Sequence, residues 1–430
     1  MASTSTTAPR LRFARALRSR PFAWLWAGQT ISALGDGAYT VALAWAVLDL
    51  TGSATDMGIV LVARSVPMLL FVLIGGVAAD RLPRRLVMLA SDAGRAVAVL
   101  AIAALEWLGV LQVWHLVALA FFFGIVSGFF MPAYQSIAPE LVEVEALPSA
   151  NGLNGLSRQV GMLLGPLIGG ALVAAVGAQD AFAFDGLSFV VSALCLLAVR
   201  MPPSAQAARP QGEAASAGTS RRRGMRGVVA DIHEGLGYIL ASSWLWVTIL
   251  VASILNMATS GALVVALPKL VADVYHAGPA LFGAIATLSG FGAIVATLVI
   301  GQAHRLHHRG ILAYLGTALA SVGLIAFGLP LPLVALPLVA LGASFLDGFG
   351  ISVFSVIWDT VLQELVPADK LGRVSSVDLL GSFCLQPVGF LLAGVLADRI
   401  GPAWVFVGAG AVNLALTLAA LCVRGIRQLE

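Results

Sequence analysis

From Pro21 to Leu48 the chain carries a single charged side chain, Asp36, and stretches of similar apolarity recur along its whole length. About 20 apolar residues in a helix are enough to cross the hydrocarbon core of a bilayer. No water is present there to satisfy backbone N–H and C=O groups, so only helices or closed barrels can span it. The alternation of outward apolar and inward polar residues that a barrel needs is absent. The chain must therefore fold as a bundle of membrane-crossing helices. Hydrophobic residues at 59% and charged residues at 11% agree, since soluble domains carry about 25% charge.

The apolar runs predict twelve crossings, at 21–48, 57–79, 86–107, 114–138, 152–177, 182–199, 244–268, 279–303, 311–329, 333–361, 375–397 and 402–423. The first run exceeds the signal-peptide core of about 7–15 residues, so it is read as an uncleaved span. Connections that remain in the cytoplasm collect Lys and Arg. With both ends inside, the cytoplasmic segments hold Arg10, Arg12, Arg15, Arg18, Arg20, Arg81, Arg84, Arg85, Arg200, Arg209, Arg221, Arg222, Arg223, Arg226, Arg305, Arg309, Lys370, Arg373, Arg424 and Arg427. The outer connections hold only Lys269 and Arg399. The asymmetry predicts a multi-pass protein of the cytoplasmic membrane with both termini in the cytoplasm.

Between Met201 and Ser220 the chain turns to Ala, Pro, Gly, Ser and Gln, a composition that cannot build a core. Beyond it, Met225, Val228, Val229, Ile232, Leu236, Ile239 and Leu240 share one helical face, as expected for a helix lying on the inner leaflet. The predicted organisation is an N-terminal half at 1–199, a cytoplasmic linker with its interfacial helix at 200–243 and a C-terminal half at 244–430. The halves echo each other: Trp24-Leu25-Trp26 recurs as Trp244-Leu245-Trp246, and Glu140-Leu141-Val142 as Glu364-Leu365-Val366. Such a duplication places a substrate site between the halves near the bilayer midplane.

Several function classes are not supported. The pI near 9.0 reflects loop arginines rather than a nucleic-acid surface. Cys195, Cys384 and Cys422 each fall in an apolar run without paired spacing, and no phosphate-binding loop or histidine pair of metal-ligand type is present. No cofactor, no metal and no enzymatic nucleophile is expected.

Gly152, then Gly161, Gly165-Pro166 and Gly169-Gly170 form the densest glycine pattern in the chain. Steps of four keep Gly161, Gly165 and Gly169 on one helical face, a bare groove that lets a neighbouring backbone approach in lipid. The expected neighbour is a helix of the other half. At every fixed position this stretch resembles the antiporter motif on the fifth span of major facilitator superfamily exporters. Gly76, Asp80, Arg81, Arg84 and Arg85 resemble that superfamily's loop motif between spans 2 and 3, with Pro83 in place of the usual glycine. The resemblance implies an all-α integral membrane protein of major facilitator fold, about twelve helices in two six-helix halves. It also implies that Gly76 allows close helix approach and that Asp80 with the arginines latches the outward-open state.

Asp36 lies midway along span 1, where an ionised carboxylate costs about 2.5–3.5 kcal/mol on insertion scales. It must face protein or water, and Gln29, Ser32, Tyr39 and Thr40 share its face. Two roles stand side by side: a proton carrier, or a structural acid satisfied by hydroxyls or by Arg64 on span 2. Asn256 is the corresponding polar position in the second half, and Asp347 in span 10 is a further candidate for the substrate path. Asp92 and Arg95 are spaced for a local ion pair. Span 4 holds no arginine, unlike many drug and proton antiporters of the superfamily.

The resemblance is closest to the branch with enterobactin-type siderophore exporters and macrolide efflux proteins. It implies a monomeric carrier exporting amphipathic small molecules in exchange for protons. Uptake or lipid flipping on the same fold is the alternative, followed by a non-transporting membrane protein.

Overall fold

The computed structural model describes residues 12–200, 236–303 and 307–429. Twelve helices among them are long and apolar enough to cross a membrane. They are α1 (Arg20–Thr51), α2 (Ala54–Arg81), α3 (Arg84–Trp107), α4 (Val113–Leu141), α5 (Leu147–Val176) and α6 (Ala178–Ala198). After a gap in the described residues come α7 (Ser243–Val274), α8 (Pro279–Gly301), α9 (Arg309–Phe327) and α10 (Leu336–Leu365). The last two are α11, in two pieces (Ala368–Phe383 and Gln386–Ile400), and α12 (Pro402–Leu421). The expected linker and most of the interfacial helix lie outside the described residues.

Local chemistry sets the helix boundaries. Proline sits in the first turn of α1, α5, α8, α10 and α12, where its missing N–H would have had no helical partner. Pro148 is why α5 begins at Leu147 rather than at the predicted 152. One-glycine turns at Gly177 (φ +100°) and Gly401 (φ +91°) join α5 to α6 and α11 to α12, a backbone that a side chain would strain. Two predicted spans come out differently. The seventh continues beyond 268 to Val274 through wide helical turns at Gly261–Ala266 and Leu270–Val274, which flank Pro268 and absorb its missing hydrogen bond. The eleventh is broken at Cys384–Leu385, just before Pro387.

The duplication is visible in the packing. α1 lies against α5 and α6, α2 against α4, and α3 against α4 and α6; the same pairs recur six helices later. The halves meet through α5 on α8 and α2 on α11.

Hydrogen bonds join the halves at the end of the bundle away from the arginine-rich loops. There Asp398 of α11 accepts from Ala54 N (3.0 Å), Thr55 N (2.9 Å), Ser53 Oγ (2.8 Å) and Thr55 Oγ1 (2.6 Å) at the start of α2. Lys269 of α7 donates to Asp398 (2.8 Å) and to the Gly52 carbonyl (2.6 Å). At the arginine-rich end the ion pairs between described residues do not cross between the halves. Arg84–Glu140, Arg15–Glu143 and Arg309–Glu364 each stay within one half. Ile74 and Val77 on α2 and Leu379 and Phe383 on α11 are exposed there. The space between the halves therefore opens toward the arginine-rich end.

Candidate functional site

A cavity of about 530 Å³ lies between the halves, within the size range of small-molecule sites. The first half supplies Asp36, Gly37 and Thr40 from α1, Arg64 from α2, and Arg158, Gly161, Met162 and Pro166 from α5. The second half supplies Leu263, Val264 and Leu267 from α7, Phe282, Ile285, Ala286 and Ser289 from α8, and Ser344 and Asp347 from α10. One wall is thus mixed and charged, the other apolar around a single carboxyl.

Of the residues singled out from sequence, Asp36, Arg64 and Asp347 meet in this cavity, while Gln29, Tyr39 and Asn256 do not line it. Gln29 donates to Ser192 Oγ on α6 (2.8 Å), and Ser192 donates to Asp92 (2.7 Å), which is ion-paired with Arg95 as the spacing predicts. Tyr39 is buried between Phe123 and Phe182, with the Arg64 guanidinium 5.0 Å from its ring and 4.5 Å from that of Phe123. Asn256 donates to the Ser382 carbonyl (3.0 Å), fastening α7 to α11. The polar stripe of α1 is therefore divided: part of it serves packing against α6, and Asp36 with Thr40 faces the cavity.

No ion pair or hydrogen bond engages the Asp36 carboxylate among the described residues. Arg64, Arg95 and Asp185 lie within its electrostatic reach. Asp185 on α6 sits directly behind: its Oδ1 would be 2.5 Å from a Cβ built on Gly35, and its buried Oδ2 has no partner.

The glycine groove turns out to face α1, not the other half. A methyl on Gly161 would fall 2.7 Å from the Ala33 carbonyl oxygen, on Gly165 2.7 Å from Gly37 Cα, and on Gly169 2.6 Å from Ala38 Cα. Gly37 is the reciprocal gap, its own missing Cβ lying 2.6 Å from Gly165 Cα. The adjacent face of α5 meets the second half. Gly170 packs on Pro279 and Gly283, Thr287 Oγ1 donates to the Leu163 carbonyl (2.8 Å), and Gln159 reaches the Gly290 carbonyl (3.4 Å). The motif thus holds α5 between α1 and α8, and Pro166 reaches both the cavity and Gly283.

Gly165→Ala is expected to lower the thermal stability of the purified protein, because overpacking of this kind costs about 1–3 kcal/mol. Gly155→Ala, with nothing within 4 Å of the new methyl, should be neutral or slightly stabilising. Equal unfolding temperatures for the two variants would mean that the α1–α5 approach is slack.

The loop motif residues lie at the open end. Arg84 donates to the Ser136 carbonyl (2.5 Å) and pairs with Glu140 (2.8 Å), while Arg85 donates to the Leu196 and Leu197 carbonyls at the end of α6 (2.7 and 2.8 Å). Asp80 and Arg81 are exposed, without an ion pair among the described residues, and nothing lies within 4 Å of a Cβ on Gly76. Gly152 is half-buried at the start of the glycine stretch.

Sequence reasoning missed Phe282, Ser289 and Thr287 on α8 and the Asp398–Lys269 pair. Lys269 carried the one available signal, as one of two basic residues in the outer connections.

The profile of the family described as Major Facilitator Superfamily matches residues 25–377 and 249–428. Multidrug efflux pump Tap of Mycolicibacterium fortuitum is 29% identical over 413 residues, covering 92% of this chain and 94% of that protein. Macrolide efflux protein A of Streptococcus pyogenes is 22% identical over 414 residues, covering 95% and 97%. Among solved structures, the crystal structure of D-xylose-proton symporter superposes with a TM-score of 0.64 at 16% identity, covering 97% of each chain.

Proposed function

The chain belongs to the major facilitator superfamily of transporters, and from that premise we propose that it exports amphipathic small molecules in exchange for protons. The observation that carries the reading is the cavity between the halves, which is bridged at one end, open at the arginine-rich end and mostly apolar, with the Asp36 carboxyl lining it and engaged by no hydrogen bond or ion pair among the described residues. With the arginine-rich loops in the cytoplasm, this is the state that loads cargo from inside the cell. Rocking of one half on the other about the α2–α11 and α5–α8 contacts then opens the opposite end. Asp36 is the group that takes up and releases the counter-moving proton, and a drug-like compound, antibiotic, siderophore or other secondary metabolite is the cargo. The relatives named as efflux pumps support the outward direction, as does the antiporter-type stretch on α5.

The loop motif fits the same cycle. Asp80 is exposed and makes no ion pair among the described residues, and Gly76 is bare toward open space. In the proposed cycle both engage when α2 and α11 close at the arginine-rich end, while Arg84 and Arg85 keep the loop anchored to α4 and α6.

Accumulation of a panel of labelled amphipathic compounds in cells with and without the protein tests the proposal. At least one compound should accumulate less in cells that carry the protein, and a protonophore should erase the difference. Uptake on the same fold gives the opposite sign. No difference for any compound contradicts export of this class.

A further inference from the structure

On and behind the first-half wall of the cavity stand three carboxyls and two guanidinium groups. Asp92 and Arg95 of α3 are buried and form one ion pair, and Ser192 donates to the other oxygen of Asp92. What remains is Arg64 of α2 facing two carboxyls, Asp36 of α1 and Asp185 of α6. Asp185 has no exposed surface; its Oδ1 accepts from Ser188 Oγ at 3.4 Å, and its Oδ2 has no partner. Gly35 is the gap that admits it, since a methyl there would lie 2.5 Å from Asp185 Oδ1, and Asp36 is the next residue along α1. The charged and titratable groups that act on Asp185 are Asp36 and Tyr39 from α1, Arg64 from α2 and Arg95 from α3. From α5, also packed on α6, none acts among the described residues.

A charge count follows. With Asp92 and Arg95 paired, one guanidinium cannot neutralise two carboxylates, and an uncompensated charge in a desolvated site is costly. Like charges that share such a site do not both ionise, and they titrate as a pair. We propose that Asp36 and Asp185 hold one proton between them, and that Asp185, although outside the cavity, sets when Asp36 takes up and releases the proton exchanged for cargo. The two members differ in access. Asp36 lines the cavity, where water of the open state reaches it, whereas Asp185 is sealed behind α1. Asp36 is thus the point of exchange, and Asp185 is a positioning residue whose carboxylate competes for the same proton. Only a proton moves. Its release to water in the cavity leaves Arg64 facing two carboxylates, and uptake of one proton reverses the step. The inference rests on the carrier reading and adds a second member to its proton site.

Infrared spectra of the purified full-length chain at neutral pH count protonated carboxyls through the carbonyl stretch that carboxylates lack. Asp36→Asn and Asp185→Asn should each lose the same single protonated-carboxyl band relative to the native protein, and the double variant should lose no more. Two bands lost in the double variant, no band lost in any, or loss in one single variant alone overturns the proposal. If Asp185→Asn does not fold, Arg64→Gln decides. With its cation gone the pair should take up a second proton and gain one band, and no gain overturns the proposal. In cells, Asp185→Asn should shift the dependence of export on external pH to lower pH by about one unit or more, because Asp36 then faces no like charge. A packing role for Asp185 would leave that profile in place. The infrared counts need no transport: export without a shared band overturns this inference and leaves the carrier reading standing, while a shared band in a protein that exports nothing overturns the carrier reading and leaves the shared proton.

Discussion

Asp36→Asn should reduce gradient-driven export to the level measured with a protonophore present, while the protein folds normally and still binds its cargo. The amide keeps the size of the carboxyl, and no partner has to be replaced, because no ion pair or hydrogen bond engages that side chain among the described residues. The backbone bond at this position, Thr40 Oγ1 to the Asp36 carbonyl (3.0 Å), is untouched. What the variant loses is the ability to carry a proton and a negative charge facing Arg64 and Arg95. A purely structural acid gives a different result. Removing a charge that faces the buried Arg95 and the half-buried Arg64 would then lower the unfolding temperature, and export per folded molecule would persist with an unchanged response to external pH. Measuring export and thermal unfolding on the same preparation separates the two, and wild-type export at wild-type pH response would end the proton role for Asp36.

The number of helices was legible because hydropathy is a one-dimensional property, and lipid admits few ways to satisfy a backbone. The duplication was legible in part: the Trp-Leu-Trp and Glu-Leu-Val echoes recur in a chain whose helix pairs repeat six helices later. Partner identity was not legible. A period of four says that Gly161, Gly165 and Gly169 share a face, but the helix that fills the face is set by a reciprocal gap at Gly37, and α1 shows no glycine period that would announce it. The same limit applies to the polar stripe of α1. That helix is enclosed by α5, α6 and the cavity, so neighbouring positions on one stripe meet different surroundings: Gln29 finds Ser192 while Asp36 finds open space. Asp398 and Lys269 are 129 positions apart, and a single sequence gives no sign that they touch.

That pair leads to a second large effect, on the equilibrium between the two open states. Asp398 belongs to the second half yet caps the first turn of α2, where free N–H groups and the helix dipole favour an anion. Opening the closed end requires α2 and α11 to part, which breaks the cap and the bonds from Lys269 together. A cap of this type is worth about 1 kcal/mol. The Lys269 contact is partly solvated, with 25% of the Asp398 side chain exposed, and after screening adds about 1 kcal/mol. Losing about 2 kcal/mol from one state alone shifts the ratio of states by roughly thirtyfold. Asp398→Ala should therefore favour opening at that end.

A cysteine placed at Ser344 in the cavity, with Cys384 and Cys422 replaced, should then react faster from outside intact cells with a membrane-impermeant maleimide. Controls at Val110 and Glu145, exposed at opposite ends of the bundle, should label from outside and not label, respectively. The reverse pattern would overturn the orientation assigned from the arginines. Arg399→Ala, a neighbouring exposed charge without an ion pair among the described residues, should leave the Ser344→Cys labelling rate unchanged. If Asp398→Ala and Arg399→Ala label alike, the capping contact does not hold the closed end, and the packing of Gly58 and Gly394 between α2 and α11 is sufficient to keep the halves together there.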